Sequence, residues 1–334
     1  MNIALVLVAS IFLNTNLLLV ERAFYVMGTI LEFKLYCEDR EFCNKAISDA
    51  YSEVKRLDDM LSNYKEDSEL SEVNSVAGTG KIHVSPEFIE LIERSLFFSN
   101  LTNGAFDITL GKLIELWRQG QQSKVLPDSE TVKKTISDCV GFDKIKLHSK
   151  EELIEINSQC VSIDFGGIGK GYAIDRAVSM LKKKGVESGI INFGGEIFAI
   201  GAPPGGSGWR VGIHNPLNSD EPLSFIEVKD MAVSTSGNYE RFFVILGKNY
   251  SHIIDPRTGM PVETVPSVTV LSKSATDADA LSTAISVMGK DKSADVLKKY
   301  ENAGLLIVTK QKNGIFIYKD SFFQRFEVRN SSPH

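Results

Sequence analysis

The chain has 334 residues, of which 43% are hydrophobic and 24% charged, and its formal net charge is −6. This composition is that of a globular protein with enough chain for a sizeable core, and it excludes a disordered or fibrous protein. The acidic balance, without any block of like charges, argues against a general nucleic-acid-binding protein, which would present a basic face.

The amino-terminal segment MNIALVLVASIFLNTNLLLV is almost wholly apolar. We expect residues 1–21 to be an export signal peptide or an N-terminal membrane anchor, because the run approaches the length of a membrane span but is interrupted at residues 14–16. No basic residue precedes the run, no small-residue cleavage motif closes it, and no cysteine follows it before Cys37 to carry a lipid anchor. A buried strand pair or helix is the alternative. Residues 22–330 are expected to form a single domain on the periplasmic side of the inner membrane.

The first half of the chain predicts one strand and three helices. Residues 22–36 alternate as in a strand, and apolar residues recur at helical spacing from Ile47 to Leu61. Ser85 and Pro86 predict the start of a second helix, which ends at the Asn-Gly pair 103–104. A third helix is expected from about residue 128 to residue 141.

Short strands dominate the second half. KIKLHS and ELIEINS predict a hairpin, CVSID predicts a further strand, and residues 172–184 predict a helix. Helices are also expected from about residue 276 and over 291–301, and a final hairpin is expected on Asn313-Gly314. Strands and helices without strict alternation predict the α+β class, with mixed or antiparallel sheets and packed helices.

The four cysteines show no metal-binding spacing and carry no functional argument. Cys37 and Cys43 either pair in an oxidising compartment or remain buried free thiols. Cys139 and Cys160 are the other two.

The segment DFGGIGKGYAIDR, residues 164–176, looks like a phosphate-binding turn. It is not a P-loop, since Gly171 follows Lys170, and it is not a dinucleotide fingerprint either. A strand that ends at Asp164 and a helix with free N-terminal amides would favour an anion, and glycines such as Gly167 leave their carbonyls open to a ligand or cation. A tight strand-to-helix connection without a ligand explains the glycines equally well.

The segment SATDADALSTAISVMG contains a possible metal site. On a helix that begins near Thr276, Asp279 and Thr283 are four residues apart and share a face. A carboxylate and a hydroxyl, together with backbone carbonyls and phosphate oxygens, are the hard ligands that suit Mg²⁺. Ordinary helix capping by Thr276 is the simpler explanation of this segment taken alone.

Three further segments hold candidate site residues. YSHIIDPRTGMPV places His252 in a turn-rich run, where it would carry a proton or donate a hydrogen bond at a phosphoryl centre. GAFDITLGKLIELW presents Phe106 and Asp107 before an apolar helix, and LSNYKEDSELSEVN presents Tyr64 after one. Turn chemistry and core packing are the alternatives for each.

In combination these segments resemble the FAD:protein FMN transferase family, also called the ApbE family, over nearly the whole chain from about residue 25. The markers, in order, are MGT, RLDDMLSNYKEDSELSEVN, GAFDIT, DFGGIGKGYAIDR, INFGGEIFAIG, STSGNYERFF, SHIIDPRTG and TDADALSTAISVMG. The resemblance implies an enzyme that cleaves the FAD pyrophosphate, transfers FMN to a Ser or Thr hydroxyl of an acceptor protein and releases AMP. It implies acceptors among exported redox subunits, such as those of sodium-translocating NADH:quinone reductase and Rnf-type complexes.

The resemblance also implies a set of site residues. Mg²⁺ ligands fall on Asp279, Thr283 and the Gly167 carbonyl, and the candidates for the group that accepts the hydroxyl proton are His252 and Asp164. FAD contacts fall on Met27, Tyr64, Ala105, Phe106, Asp107, Asp164, Lys170 and His252. A metal-dependent FAD pyrophosphatase, which would use water in place of the acceptor hydroxyl, and a non-catalytic exported FAD-binding protein are the alternative functions.

Overall fold

The structure is a computed structural model that describes residues 17–216, 221–237, 242–263, 265–300, 302–311 and 314–328. The α-helices within these ranges are α1 (Arg40–Leu61), α2 (Glu69–Ser75), α3 (Pro86–Leu101), α4 (Gly111–Ser123), α5 (Ser129–Cys139), α6 (Gly169–Lys183), α7 (Ala275–Met288), α8 (Lys290–Lys299) and α9 (Ser321–Gln324).

The strands of the same ranges form four sheets. They are β1 (Leu18–Val26), β2 (Thr29–Cys37), β3 (Lys81–His83), β4 (Ile145–His148), β5 (Leu153–Ile156), β6 (Gly189–Phe193), β7 (Glu196–Ile200), β8 (Trp209–Ile213), β9 (Ser224–Val228), β10 (Met231–Gly237), β11 (Phe242–Ile245), β12 (Lys248–Ser251), β13 (Ser267–Ser272), β14 (Ala303–Gln311), β15 (Gly314–Lys319) and β16 (Glu327–Val328). The largest sheet has the order β1-β2-β6-β7-β10-β13-β14-β15, and the smaller ones are β3-β5-β4, β16-β9-β8 and β11-β12.

The eight-stranded sheet lies between two hydrophobic cores. Successive side chains of a strand point to opposite faces. On β14, Leu305 and Ile307 therefore join the larger core with α1, α6 and α7, while Leu306 and Val308 join a smaller core under β8, β9 and β16. A third cluster packs α4 and α5 against β11 and β12. Helices on one face of an antiparallel sheet confirm the α+β class.

The predicted strand over residues 22–36 is a hairpin rather than one strand. β1 and β2 pair antiparallel from Leu18↔Cys37 to Val26↔Thr29, and the two-residue turn is Met27-Gly28, with φ of 48° and 73°. Two positive φ values match the strand twist and give a tight turn. The alternation of apolar and polar residues continues on both sides of this turn, so the alternation alone does not reveal that the segment is two strands.

The same hairpin includes the last residues of the apolar leader. β1 begins at Leu18, and Val20 is fully buried, so residues 18–21 are part of the folded sheet. Residues 1–16 of the expected signal or anchor lie outside the described ranges. Among the helices that the structure describes, none combines the length and hydrophobicity of a membrane span.

Most other predicted elements are confirmed, with two corrections. The expected strand CVSID is only an extended segment, with a single parallel bridge between Ser162 and Leu110. Helix α6 begins at Gly169 rather than at residue 172, so Lys170 lies in its first turn. Helices α1, α3, α5, α7 and α8 and the hairpins β4-β5 and β14-β15 are present.

All four cysteines are in disulfides, Cys37–Cys43 and Cys139–Cys160. Of the alternatives for Cys37 and Cys43, the pairing is therefore the one observed. The second disulfide joins the end of α5 to the segment that leads to Asp164.

Candidate active site

The glycine-rich segment forms a compact turn that ends on α6. The Asp164 carboxylate accepts hydrogen bonds from the Gly166 N–H (2.7 Å) and from the Asn63 side-chain amide (2.8 Å). The Phe165 carbonyl accepts from the N–H groups of Ile168 (3.1 Å) and Gly169 (2.8 Å), which starts the helix. The turn therefore fixes Asp164 at one end and the first amides of α6 at the other.

Gly171 allows α6 and α7 to touch. A Cβ atom at Gly171 would lie 2.8 Å from the Asp279 Cβ and 2.6 Å from the carbonyl carbon of Ala275, closer than side chains approach. Its N–H donates to the Asp279 carboxylate at 2.9 Å. Asp279 is 2% exposed, so this bond orients a buried carboxylate beneath the turn.

The three expected metal ligands lie together. The Thr283 hydroxyl is 3.5 Å from the Gly167 carbonyl oxygen, and Asp279 is one helical turn from Thr283 on α7. A Cβ at Gly167 would lie 3.2 Å from the Thr283 Oγ1 and 3.3 Å from the Phe106 ring, so only glycine fits without displacing a neighbour. A carboxylate, a hydroxyl and a carbonyl are hard oxygen donors, and they fit a small divalent cation that also takes water or phosphate oxygens.

This site differs from a metal centre made of charged and sulfur ligands. In the ranges that the structure describes, no group of three or more His, Cys, Asp or Glu residues is placed to hold a metal ion. The candidate site contains a single carboxylate, so most of the compensating negative charge would come from a bound phosphate.

The segment Ala105–Asp107 is buried beside the glycine-rich turn. The Asp107 carboxylate accepts from the Thr109 N–H and hydroxyl (2.8 and 2.7 Å) and from the Phe142 N–H (2.9 Å). Burial raises the pKa of Asp107, whereas these hydrogen bonds lower it, and the effect of burial is the larger. Its carboxylate thus holds the local loop, while the Phe106 ring faces Gly167; the expected FAD contacts of all three residues stay predictions.

Two backbone turns and an ion pair border the other side of the site. The β6-β7 turn lies against the start of β2, beside the β1-β2 turn: a Cβ at Gly194 would lie 2.6 Å from the Thr29 hydroxyl oxygen. Lys170 pairs with Glu196, the first residue of β7, at 3.2 Å. Glu196 is 3% exposed, and its Oε2 has no hydrogen-bond partner among the described residues. Sequence reasoning included Glu196 in a marker segment but assigned it no role.

The loop after α1 brings Tyr64 to the rim of the site. Asn63 binds Asp164, and the Asn74 side-chain amide binds the backbone of Ile163 through both its oxygen (2.7 Å) and its nitrogen (2.9 Å). These bonds fasten the loop, and helix α2 that follows it, to the segment before the glycines. Tyr64 itself is 79% exposed.

Arg118 on α4 is a site residue that the sequence did not reveal. Its guanidinium donates to the Tyr64 hydroxyl at 2.9 Å and lies 5.3 Å from the centre of the Tyr64 ring. Burial raises the pKa of Asp164, whereas the Gly166 and Asn63 hydrogen bonds and the charge of Arg118 oppose this rise. In the sequence Arg118 is one basic residue on an amphipathic helix, and its pattern indicates only a solvated face.

His252 follows β12 in a loop tied to α4. The Trp117 indole N–H donates to the Gly259 carbonyl at 2.8 Å, and Ile254 and Tyr250 pack in the same cluster as Trp117. His252 is half-buried. The structure therefore joins its loop to the helix that carries Arg118, while Gly167, Asp279, Thr283 and Phe106 meet at the turn. The catalytic assignments of His252 and Asp164 stay predictions.

The sequence of the chain is similar to those of known proteins. The model of the ApbE family matches residues 27–307. The FAD:protein FMN transferase of Treponema pallidum is 32% identical over 307 residues, covering 87% of this chain and 84% of that protein, and the Vibrio cholerae protein of the same name is 32% identical over 277 residues, covering 82% of each.

The structure of the chain is also similar to solved structures of ApbE proteins. The ApbE protein of Thermotoga maritima superposes with a TM-score of 0.85 at 32% identity, over 93% of this chain and 100% of that one. The flavin transferase ApbE of Vibrio cholerae gives 0.82 at 30% identity, over 93% and 99%.

Proposed function

The chain belongs to the ApbE family, and from this premise we propose that it is an FAD:protein FMN transferase that uses Mg²⁺, modifies a Ser or Thr hydroxyl of an acceptor protein and releases AMP. The convergence of the Gly167 carbonyl, the Asp279 carboxylate and the Thr283 hydroxyl carries this proposal.

The residues at the turn would hold the cation and order its surroundings. Mg²⁺ bound there would neutralise pyrophosphate charge and polarise the bond that breaks. The Gly171 N–H fixes one oxygen of Asp279, and the helical spacing places Thr283 on the same side of α7. Because Gly167 has no side chain, its carbonyl is open to a ligand.

The phosphate region has less free positive charge than the sequence implies. Lys170 is paired with the buried carboxylate of Glu196, so its charge is largely compensated. The first amides of α6 supply further hydrogen-bond donors for phosphate oxygens. We infer that Lys170 contributes a directed hydrogen bond rather than a free cation, with the divalent ion supplying most of the compensation.

The flavin would bind next to the aromatic residues of the site. Phe106 lies against Gly167, and Tyr64 stands exposed at the rim near Asp164. Flat rings stack favourably on such side chains. Met27, in the β1-β2 turn, would contribute an apolar contact from the opposite wall.

In the proposed reaction the acceptor hydroxyl oxygen attacks the phosphorus on the FMN side of the pyrophosphate. The bond from that phosphorus to the bridging oxygen breaks, and AMP leaves with the electron pair. The hydroxyl proton passes to His252 or to Asp164, and the raised pKa of Asp164 makes its carboxylate a stronger base than an exposed one.

We further propose an exported location and acceptors among exported redox subunits, such as those of sodium-translocating NADH:quinone reductase and Rnf-type complexes. The pairing of all four cysteines supports an oxidising compartment, where disulfides persist. The apolar leader before Leu18 supports export by an N-terminal signal or anchor.

Incubation of the purified protein with FAD, Mg²⁺ and a candidate acceptor tests the reaction. Transfer predicts that the acceptor gains the mass of FMN less water and that one AMP appears for each modified protein. Free FMN in place of the adduct would favour pyrophosphate hydrolysis, and intact FAD after long incubation would favour a binding protein without turnover. Omission of Mg²⁺ should stop the transfer.

A further inference from the structure

Tyr64 is a large aromatic side chain whose backbone is fixed but whose ring is exposed. The Tyr64 N–H donates to the Ser62 hydroxyl at 3.1 Å, and the neighbouring Asn63 is bound to Asp164. Tyr64 is 79% exposed, so core packing does not determine the rotamer of its side chain. An exposed aromatic next to a ligand site must otherwise lose its rotational freedom when the ligand binds.

Arg118 supplies the contact that orients this ring. It follows Trp117, which is 1% exposed and hydrogen-bonded to Gly259, so the backbone of α4 is anchored at this point. From there the guanidinium donates to the Tyr64 hydroxyl at 2.9 Å, with its central carbon 5.3 Å from the ring centre. A planar guanidinium can hold the phenol both by hydrogen bonding and by attraction to the ring.

We propose that Arg118 is a positioning residue for the flavin substrate: it holds the Tyr64 ring in place before FAD binds, with the ring available to a flat group of the substrate. This inference rests on the proposed function, because it takes FAD as the ligand that Tyr64 meets. Arg118 acts on the substrate through Tyr64, and its charge also opposes the rise in the pKa of Asp164, but it does not touch the reacting atoms in this proposal.

The pair has little to do with the stability of the fold. Contacts between exposed side chains contribute little to folding, because water competes for them and salt screens the charge. Replacement of Arg118 should therefore leave the melting temperature nearly unchanged, and its effect should appear in substrate affinity.

The test combines substitutions of Arg118 and Tyr64. Arg118→Met keeps the side-chain length but removes charge and donors, Arg118→Lys keeps the charge without the planar fork, and Tyr64→Leu removes the ring. Arg210→Met is the matched control, because Arg210 lies 4.0 Å from the Phe225 ring centre in the small β8-β9-β16 sheet. The Kd of FAD with Mg²⁺ is measured by quenching of flavin fluorescence, and kcat and KM are measured for transfer.

We expect Arg118→Met to weaken FAD binding about three- to tenfold, the cost of ordering one or two side-chain rotors on binding. KM should rise while kcat, measured at a pH well above the pKa of Asp164, changes less than about twofold, since the groups at the reaction centre are all present. Arg118→Lys should recover part of the affinity, and Arg210→Met should match the wild type. In a Tyr64→Leu background, Arg118→Met should cause no further loss.

An Arg118→Met Kd equal to that of the wild type would overturn the inference, as would an undiminished effect in the Tyr64→Leu background. Wild-type protein that binds FAD but forms no covalent flavin would instead contradict the proposed transferase, while the affinity comparison would still decide the role of Arg118. Wild-type protein that does not bind FAD would overturn both.

Discussion

Asp279 is the residue on which the proposed chemistry depends most. It is buried, it accepts the Gly171 N–H, and it is the carboxylate among the three expected cation ligands. A buried carboxylate is costly unless hydrogen bonds or a cation compensate it. The hydrogen bond from the Gly171 N–H compensates one of its oxygens and keeps the group oriented toward the turn.

Replacement of Asp279 by Asn should separate chemistry from folding. The amide oxygen can still accept from Gly171, so we expect the free energy of unfolding to change by about 1 kcal/mol or less. Transfer should fall on the order of 10²-fold or more, the size of loss found when one group that stabilises the transition state is removed. The rate of covalent flavin formation at saturating FAD measures this.

Asp277→Asn is the matched control on the same helix. Asp277 binds Arg94 at 2.6 Å and also bonds to Tyr300, outside the site. We expect this variant to lose stability but to keep its transfer rate at a temperature where it is folded. Near-normal transfer by Asp279→Asn would refute the metal assignment.

At the residue scale the sequence predicted which residues share a helix face better than it predicted contacts between distant elements, and the ligand roles stay predictions. Asp279 and Thr283 were recognisable because helical spacing places residues four apart on one face. Glu196 and Arg118 were not, because each acts across the fold, on Lys170 and on Tyr64, and no local pattern records such a contact.

The α6-α7 contact determines the geometry of the site at the scale of elements. Gly171 lies against Ala275 and Asp279, whereas Gly169, two residues earlier, has more room: a Cβ there would lie 3.5 Å from the Phe165 Cβ. The close approach of α7 therefore requires glycine at position 171 but leaves room for a Cβ atom at position 169.

Alanine at these two positions should have opposite effects. Gly171→Ala places a methyl group against the backbone of α7, so the two helices must separate to accommodate it. We therefore expect it to lower the free energy of unfolding by about 1–3 kcal/mol or more and to impair transfer. Gly169→Ala meets only ordinary van der Waals contact and should lie within about 1 kcal/mol of wild type, on the stabilising side. Urea unfolding of both proteins measures the difference, and equal stabilities would contradict the close-contact explanation.

Element prediction succeeded where periodicity was local and failed at junctions. The helices α1, α3 and α7 follow from apolar spacing and capping residues. The Met27-Gly28 turn was missed because alternation continues through a two-residue turn, and CVSID has strand-like residues but only one bridging partner. Pairing is a long-range property, so composition alone cannot supply it.

At the scale of the whole molecule, the two disulfides are the feature that supports the proposed oxidising compartment. Cys139–Cys160 closes a separation of 21 residues and joins α5 to the segment before Asp164, while Cys37–Cys43 closes one of 6. The sequence left Cys37 and Cys43 open between a disulfide and free thiols, since spacing alone does not show which cysteines meet.

Removal of each disulfide should destabilise the protein, and the loss should be larger for the disulfide that closes the longer loop. By loop entropy we expect losses of about 3 kcal/mol for a Cys139→Ser/Cys160→Ser variant and about 2 kcal/mol for Cys37→Ser/Cys43→Ser. Denaturant unfolding of both variants measures this, and reduction of the wild type should lower its midpoint as well. Free thiols in protein recovered from an exported fraction would contradict the two disulfides as support for an oxidising compartment.

The central claim is that Gly167, Asp279 and Thr283 hold a divalent cation against the pyrophosphate of FAD. A crystal grown with FAD and Mn²⁺, read by anomalous scattering, tests it most directly. We predict an anomalous peak about 2.1 Å from oxygens of all three residues and from phosphate oxygens of FAD. Bound FAD with no peak there, or with the metal held elsewhere, would contradict the account.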